Sequence, residues 1–216
     1  MQKMMLKKPD LVIWDWDGTI VNSIPLIYAA HNYVRTQLGY NAWSFSEFQE
    51  VAHKSSREAY PALYGNRCDD AFLLLSEYLE THHLDVNLCS DAKEALQTLA
   101  LLNIPMIVVS NKTHKFLLRE VKHFGFDEYF SSILGAGEAQ HDKPDKRASE
   151  YALKLADIDV NAINFAWLIG DSQTDVDCAK NLPFETVSYI VGTQETVGEN
   201  IRFDTLGSFL KIAREY

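Results

Sequence analysis

The sequence predicts an α/β protein: a parallel sheet covered by helices on both faces and interrupted once by an inserted all-helical segment. Three observations point there. Short apolar runs bounded by turn formers recur along the chain, and amphipathic stretches of helical period lie between most of them. One long stretch, residues 22–87, keeps the helical period without any such run.

The elements follow in order. Leu11–Trp14 is apolar throughout, as a strand buried on both faces should be. The next segment reads as helix upon helix, at Pro25–Leu38, Ser44–His53, Ser55–Leu63 and Asp69–His83. Asn41, Ser44, Gly65-Asn66 and Asp69 supply its breaks and caps. Asp91–Leu102 places Ala95, Leu96, Leu99 and Leu102 on one face, and the strand Pro105–Val109 follows. His114–Phe124 gathers Phe116, Leu117, Val121 and Phe124 and stops at Gly125. Strands at Ile133–Leu134, Phe165–Ile169 and Thr186–Val191 then alternate with helices at Lys146–Leu155 and Thr174–Leu182. Residues 1–21 and 88–216 are thus expected to form one α/β unit, with 22–87 as an inserted second domain.

Composition narrows the function. With 47% hydrophobic and 23% charged residues, the chain can bury a sizeable core. A formal net charge of −10 repels nucleic acid and anionic membrane surfaces, so neither is an expected partner. An anionic ligand would need local cations or a metal. Cys68, Cys89 and Cys178 are scattered, which suits free thiols better than a disulfide framework or a zinc site. Met1 to Lys8 is basic but leads into no apolar core of signal-peptide length, and no stretch approaches a membrane span. A cytoplasmic protein is expected.

Ligands of open parallel sheets sit beyond the carboxyl ends of the strands. The first strand runs into Asp15-Trp16-Asp17-Gly18-Thr19, whose two carboxylates, one residue apart, can bind a hard cation or divide nucleophile and acid duties. The second long strand ends in Ser110-Asn111, ahead of a helix whose free N–H groups favour an anion. Lys143-Pro144 offers a cation beside a rigid residue, and Gly170-Asp171-Ser172-Gln173-Thr174-Asp175 again sets two carboxylates before a helix. Each piece has an ordinary reading, since Asp and Ser after a strand are most often caps or turn formers. The pair at Asp15 and Asp17 gains nothing for folding, and the four pieces in this order are hard to obtain by chance.

In these motifs the chain resembles the haloacid dehalogenase superfamily, with Asp15–Thr19, Ser110, Lys143 and Gly170–Asp175 as its four motifs. Ile20–Gly39 and Val109–Lys112 look most like its phosphoglycolate phosphatase branch. The resemblance implies a Rossmann-like core with a small helical cap of the C1 type at 22–87. It implies a phosphatase acting on a small phosphorylated metabolite, with Asp15 as nucleophile, Asp17 as acid and base, and an aspartyl-phosphate intermediate. Asp15, Asp171 and a phosphate dianion carry roughly −4 in one pocket, which Lys143 and a divalent ion reduce to roughly −1. Mg²⁺ bound by Asp15, Asp171 and the Asp17 backbone carbonyl is the expected cofactor. Gly18, Thr19, Ser110, Asn111 and Lys143 would bind phosphate. Asp175 reads as a water-mediated ligand or as a brace for Lys143, the brace being preferred.

Lys54, Ser56 and Arg57 look like the cap's specificity loop, with a solvated helix start as an equally good reading. The chain departs from the branch at His53 or Lys54, where Gly is frequent, at Asn22, where Asp is common, at Trp16, read as filling space, and at Lys146. His82-His83 reads as a solvated helix end, while His53 and His141 could approach substrate. A phosphosugar mutase is the catalytic alternative, although the His expected of one falls at Ile27. A non-catalytic binding protein is the rival from another class.

Overall fold

In a computed structural model, which describes residues 7–51, 54–192 and 194–215, six parallel strands form one sheet in the order β5-β4-β1-β6-β7-β8. These are β1 (Leu11–Trp14), β4 (Met106–Thr113), β5 (Ser132–Ala136), β6 (Phe165–Gly170), β7 (Glu185–Val191) and β8 (Ile201–Phe203). β1 lies at the centre between β4 and β6, and all four of its residues are buried.

The pleat sends alternate residues to opposite faces, so one short strand feeds two cores. Val12 and Trp14 pack with Met106, Val108, Trp167 and Ile169 beneath α5 (Ala92–Leu101), α6 (His114–Phe124) and α9 (Leu206–Ala213). Leu11 and Ile13 pack with Ile107, Val109, Ala166 and Leu168 beneath α7 (Lys146–Leu155) and α8 (Gln173–Asn181). Gly125 takes the left-handed conformation that ends α6 (φ 68°), as predicted. The strand following α5 extends past Val109, so Ser110 and Asn111 lie inside β4 and not after it.

The described residues between Ile24 and His82 include α1 (Ile24–Gln37), α2 (Phe45–Gln49), α3 (Ser56–Tyr64) and α4 (Cys68–His82). Pro25 opens α1, a Ser44/Glu47 capping box starts α2, and the Ser55 hydroxyl accepts the Glu58 N–H at the start of α3. α2 is shorter than the predicted Ser44–His53, and His53 lies outside the described residues. The bundle has its own core of Ala30, Val34, Leu38, Tyr60, Tyr64 and Leu75. The chain enters and leaves it through an antiparallel pair, β2 (Val21–Asn22) against β3 (Asn87–Leu88). No helix among the described residues is long and apolar enough to cross a membrane.

Against the expected solvated helix end, His83 is buried. Its Nδ1 lies 2.8 Å from the Leu79 carbonyl oxygen and its ring 5.3 Å from that of Phe116, while His82 alone faces solvent beside Asp85.

Candidate active site

Strand register brings the first acidic residues together. Trp14 of β1 pairs with Ile169 of β6, and the Asp15 N–H donates to the Ile169 carbonyl at 2.8 Å, so Asp15 and Asp171 leave neighbouring strands side by side. Two glycines make the approach close. Gly18 has φ +80°, and a Cβ there would stand 2.2 Å from an Asp171 oxygen. At Gly170 a Cβ would stand 2.3 Å from the Asp175 carboxyl carbon.

Lys143 is buried, with Nζ 2.7 Å from Asp15 Oδ1 and 2.6 Å from Asp175 Oδ1. Burial works against its proton, but the Asp15 and Asp175 carboxylates outweigh it and hold the ammonium above the usual lysine range. Asp175 is fully buried, and its other oxygen accepts from the Ser172 N–H (3.1 Å) and hydroxyl (2.7 Å) and the Asp171 N–H (3.3 Å). Both its oxygens are engaged, as a brace for Lys143 requires.

One lysine does not neutralise three carboxylates. Burial, then the Asp175 charge, pushes the Asp15 carboxyl up to about 7, and burial with the Asp15 and Asp175 charges raises Asp171 well above the usual range. One oxygen from each of Asp15, Asp171 and Asp175 lies within 4.8 Å of the others. An oxygen-only donor set with uncompensated negative charge fits a hard divalent cation.

Asp17 points its carboxylate elsewhere. Lys112 Nζ donates to Asp17 Oδ1 at 2.9 Å and lies 2.8 Å from Glu120 Oε1, while the Trp16 indole N–H donates to Glu120 Oε2 at 2.7 Å. Trp16 and Glu120 are fully buried, so Trp16 does more than fill space. Burial raises the Glu120 carboxyl to about 7, while Lys112 keeps its proton despite burial because Asp17 and Glu120 flank it. Sequence reasoning missed Lys112 and Glu120 as parts of the site. The available signal was a glutamate on the buried stripe of α6, among Phe116, Leu117 and Val121.

Between these strand ends and the helical bundle lies a chamber of about 460 Å³. Asp15, Asp17, Asp171, Ser110, Asn111, Lys112 and Lys143 form its floor, and Lys54, Ser56 and Arg57 border it from the bundle. Gly18 and Thr19 were expected to bind phosphate, but they are not part of the chamber lining. Thr19 is fully buried, and Gly18 serves the Asp171 approach. The Asn111 side chain donates to the Lys143 carbonyl at 3.1 Å and leaves its own buried oxygen without a partner. His141 does not line the chamber, whereas His31 of α1, which the sequence did not single out, does.

The family model for haloacid dehalogenase-like hydrolases matches residues 12–188. A Pseudomonas fluorescens phosphoglycolate phosphatase is 27% identical over 195 residues, covering 85% of this chain and 70% of that protein. Pyrophosphatase PpaX of Listeria monocytogenes is 27% identical over 180 residues, covering 82% of this chain and 81% of that one. A haloacid dehalogenase superfamily hydrolase from Ehrlichia chaffeensis superposes with a TM-score of 0.67 at 25% identity, covering 97% of this chain and 98% of that one. CbbY of Rhodobacter sphaeroides, solved with phosphate, superposes at 0.76 with 17% identity, covering 94% and 96%, and so shares the fold.

Proposed function

The chain belongs to the haloacid dehalogenase-like hydrolases, and we propose that it is a Mg²⁺-dependent phosphatase that takes the phosphoryl group of a small phosphate monoester onto Asp15. The observation carrying this is the Asp15/Asp171/Asp175 cluster around one buried lysine, with Asp15 and Asp171 facing a chamber large enough for a small ligand.

In this reading an Asp15 oxygen attacks phosphorus, the bond from phosphorus to the ester oxygen breaks, and Asp17 gives the departing alkoxide its proton. Water, deprotonated by Asp17, then attacks the aspartyl-phosphate at phosphorus, which releases inorganic phosphate and restores the Asp15 carboxylate. Asp15, Asp171 and the Asp17 backbone carbonyl would hold Mg²⁺, which when bound supplies positive charge against the crowded carboxylates and the phosphate. Ser110, Asn111 and Lys143 would hold phosphoryl oxygens, Asp175 would hold Lys143, and residues 22–87 would act as a cap over the substrate. Ile27 lines the chamber where a mutase would carry a histidine, which favours water over a sugar hydroxyl as the final acceptor.

Hydrolysis of p-nitrophenyl phosphate tests the reading. Turnover is expected with Mg²⁺, abolished by a chelator and restored by excess Mg²⁺; turnover in neither condition favours a binding protein on this fold.

Lys112 is a positioning residue in this scheme, because it grips the carboxyl of Asp17. Lys112→Met is expected to lower kcat about 10- to 100-fold while KM moves less than about threefold. The loss should be larger for alkyl phosphates than for p-nitrophenyl phosphate, whose leaving group needs little protonation. An equal loss of kcat/KM on both, a parameter that excludes the shared hydrolysis of the intermediate, would mean that Lys112 does not act through the proton Asp17 gives the leaving group.

A further inference from the structure

Building on the phosphatase reading, we propose that the substrate's leaving group is an uncharged apolar alcohol, alkyl or aryl, seated against the bundle wall of the chamber. The chamber has two unlike halves. Its floor is the polar cluster that would take the phosphoryl group, and its facing wall carries Ile24, Ile27, Phe45, Phe48, Phe72 and Leu75. Ile24 and Phe45, two of the larger apolar side chains of that wall, remain 37% and 47% exposed. Apolar surface of this kind, opening onto a reactive centre, gains free energy when a hydrocarbon covers it.

The charges around the chamber argue the same way. A substrate with a carboxylate or a second phosphate needs a cation beyond the phosphoryl site. Lys143 is held by Asp15 and Asp175, and Lys112 by Asp17 and Glu120. Arg57, although it borders the chamber, is paired with Asp142 Oδ1 at 3.2 Å and donates to the Gln140 carbonyl at 3.0 Å. His31 is buried on the wall with Nδ1 3.3 Å from the Tyr60 hydroxyl, and burial, then the Arg35 charge, lowers its pKa to about 4, so it stays neutral. Among the described residues of the lining, Lys54 alone is a cation without a carboxylate partner, and it is exposed to solvent. The predicted cationic cluster at Lys54, Ser56 and Arg57 therefore offers one charge that no carboxylate partners among the described residues.

The test uses the full chain with Mg²⁺ and primary alkyl phosphates of similar leaving-group basicity: ethyl, butyl and hexyl phosphate, with phosphoglycolate as the charged comparison. Each methylene buried against the wall should raise kcat/KM about fourfold, so hexyl phosphate should exceed ethyl phosphate by about 250-fold if all four extra methylenes are covered, by at least about tenfold if only two are, and phosphoglycolate by more. Hexylphosphonate should bind more tightly than ethylphosphonate in calorimetry by a similar factor, a readout that needs no turnover. Phe45→Ser, at a half-exposed position where α2 begins, should lower the hexyl-to-ethyl ratio of kcat/KM roughly fivefold. A flat alkyl series, or preference for phosphoglycolate, overturns this inference and leaves the phosphatase reading standing. Absence of hydrolysis for every ester overturns both.

Discussion

Asp15→Asn should abolish turnover, by about 10⁴-fold or more, without unfolding the protein. The amide keeps the shape of the carboxyl but cannot serve as an oxygen nucleophile that accepts and releases a phosphoryl group. The fold should tolerate it, because Asp15 adds a buried negative charge beside Asp171 and Asp175, and its pKa is raised mainly by burial. Lys143 keeps its 2.6 Å contact with Asp175 when Asp15 is neutral. Stability in urea should therefore stay within about 1 kcal/mol of the parent, or rise, since a repulsion that catalysis requires has been removed. Folded protein with near-parental turnover would remove Asp15 from the mechanism.

Lys143→Met should have the opposite profile, damaging both fold and activity. Its ammonium is the direct cationic partner of Asp15 and of the fully buried Asp175. Methionine fills similar space and leaves two carboxylates facing each other in a poorly solvated site. Removing one partner of a buried ionic cluster costs about 3–5 kcal/mol, which is a large part of a domain's total stability. Turnover should fall by about 10²- to 10³-fold, because a cation aimed at the transferring group is lost. Urea melts and kcat, measured on the same preparation, check both halves. A variant as stable as the parent would show that Asp15 and Asp175 carry no net charge conflict.

The parts of this site that could be read from sequence share one property: they follow apolar runs. Asp15 and Asp171 stand just past strand ends and Ser110 follows the apolar run inside β4, and parallel pairing of β1 with β4 and β6 gathers them. Lys143 lies on a loop, and its place was legible only from its order among the motifs. Lys112 and Glu120 were hidden because their partners come from distant segments; Lys112 meets Asp17, and Glu120 sits on a helical stripe whose other members are apolar. The phosphate-binding assignment of Gly18 and Thr19 came from the resemblance of Asp15–Thr19 to a family motif, and the close packing of Gly18 against Asp171 carried no signal in the sequence.

The fold divides in the same way. The helices with a clear apolar face were legible to within a few residues. Nothing beyond Val191 was predicted, yet β8 and α9 complete the sheet and one of its cores. Three residues of strand are too few for a period, but Leu206, Phe209, Leu210 and Ala213 do repeat at helical spacing. The two-residue strands β2 and β3, through which the chain enters and leaves the bundle, carry no pattern at all.

Trapping the covalent intermediate tests the central claim most directly. The enzyme is mixed with a phosphate ester and Mg²⁺, quenched in acid within one turnover, reduced with borohydride and digested for mass spectrometry. An aspartyl-phosphate at Asp15 is reduced to homoserine, so that residue should appear at position 15 only when substrate was present. An unchanged aspartate there, under conditions in which the leaving alcohol has been released, would mean that water attacks phosphorus directly and that Asp15 is not the nucleophile.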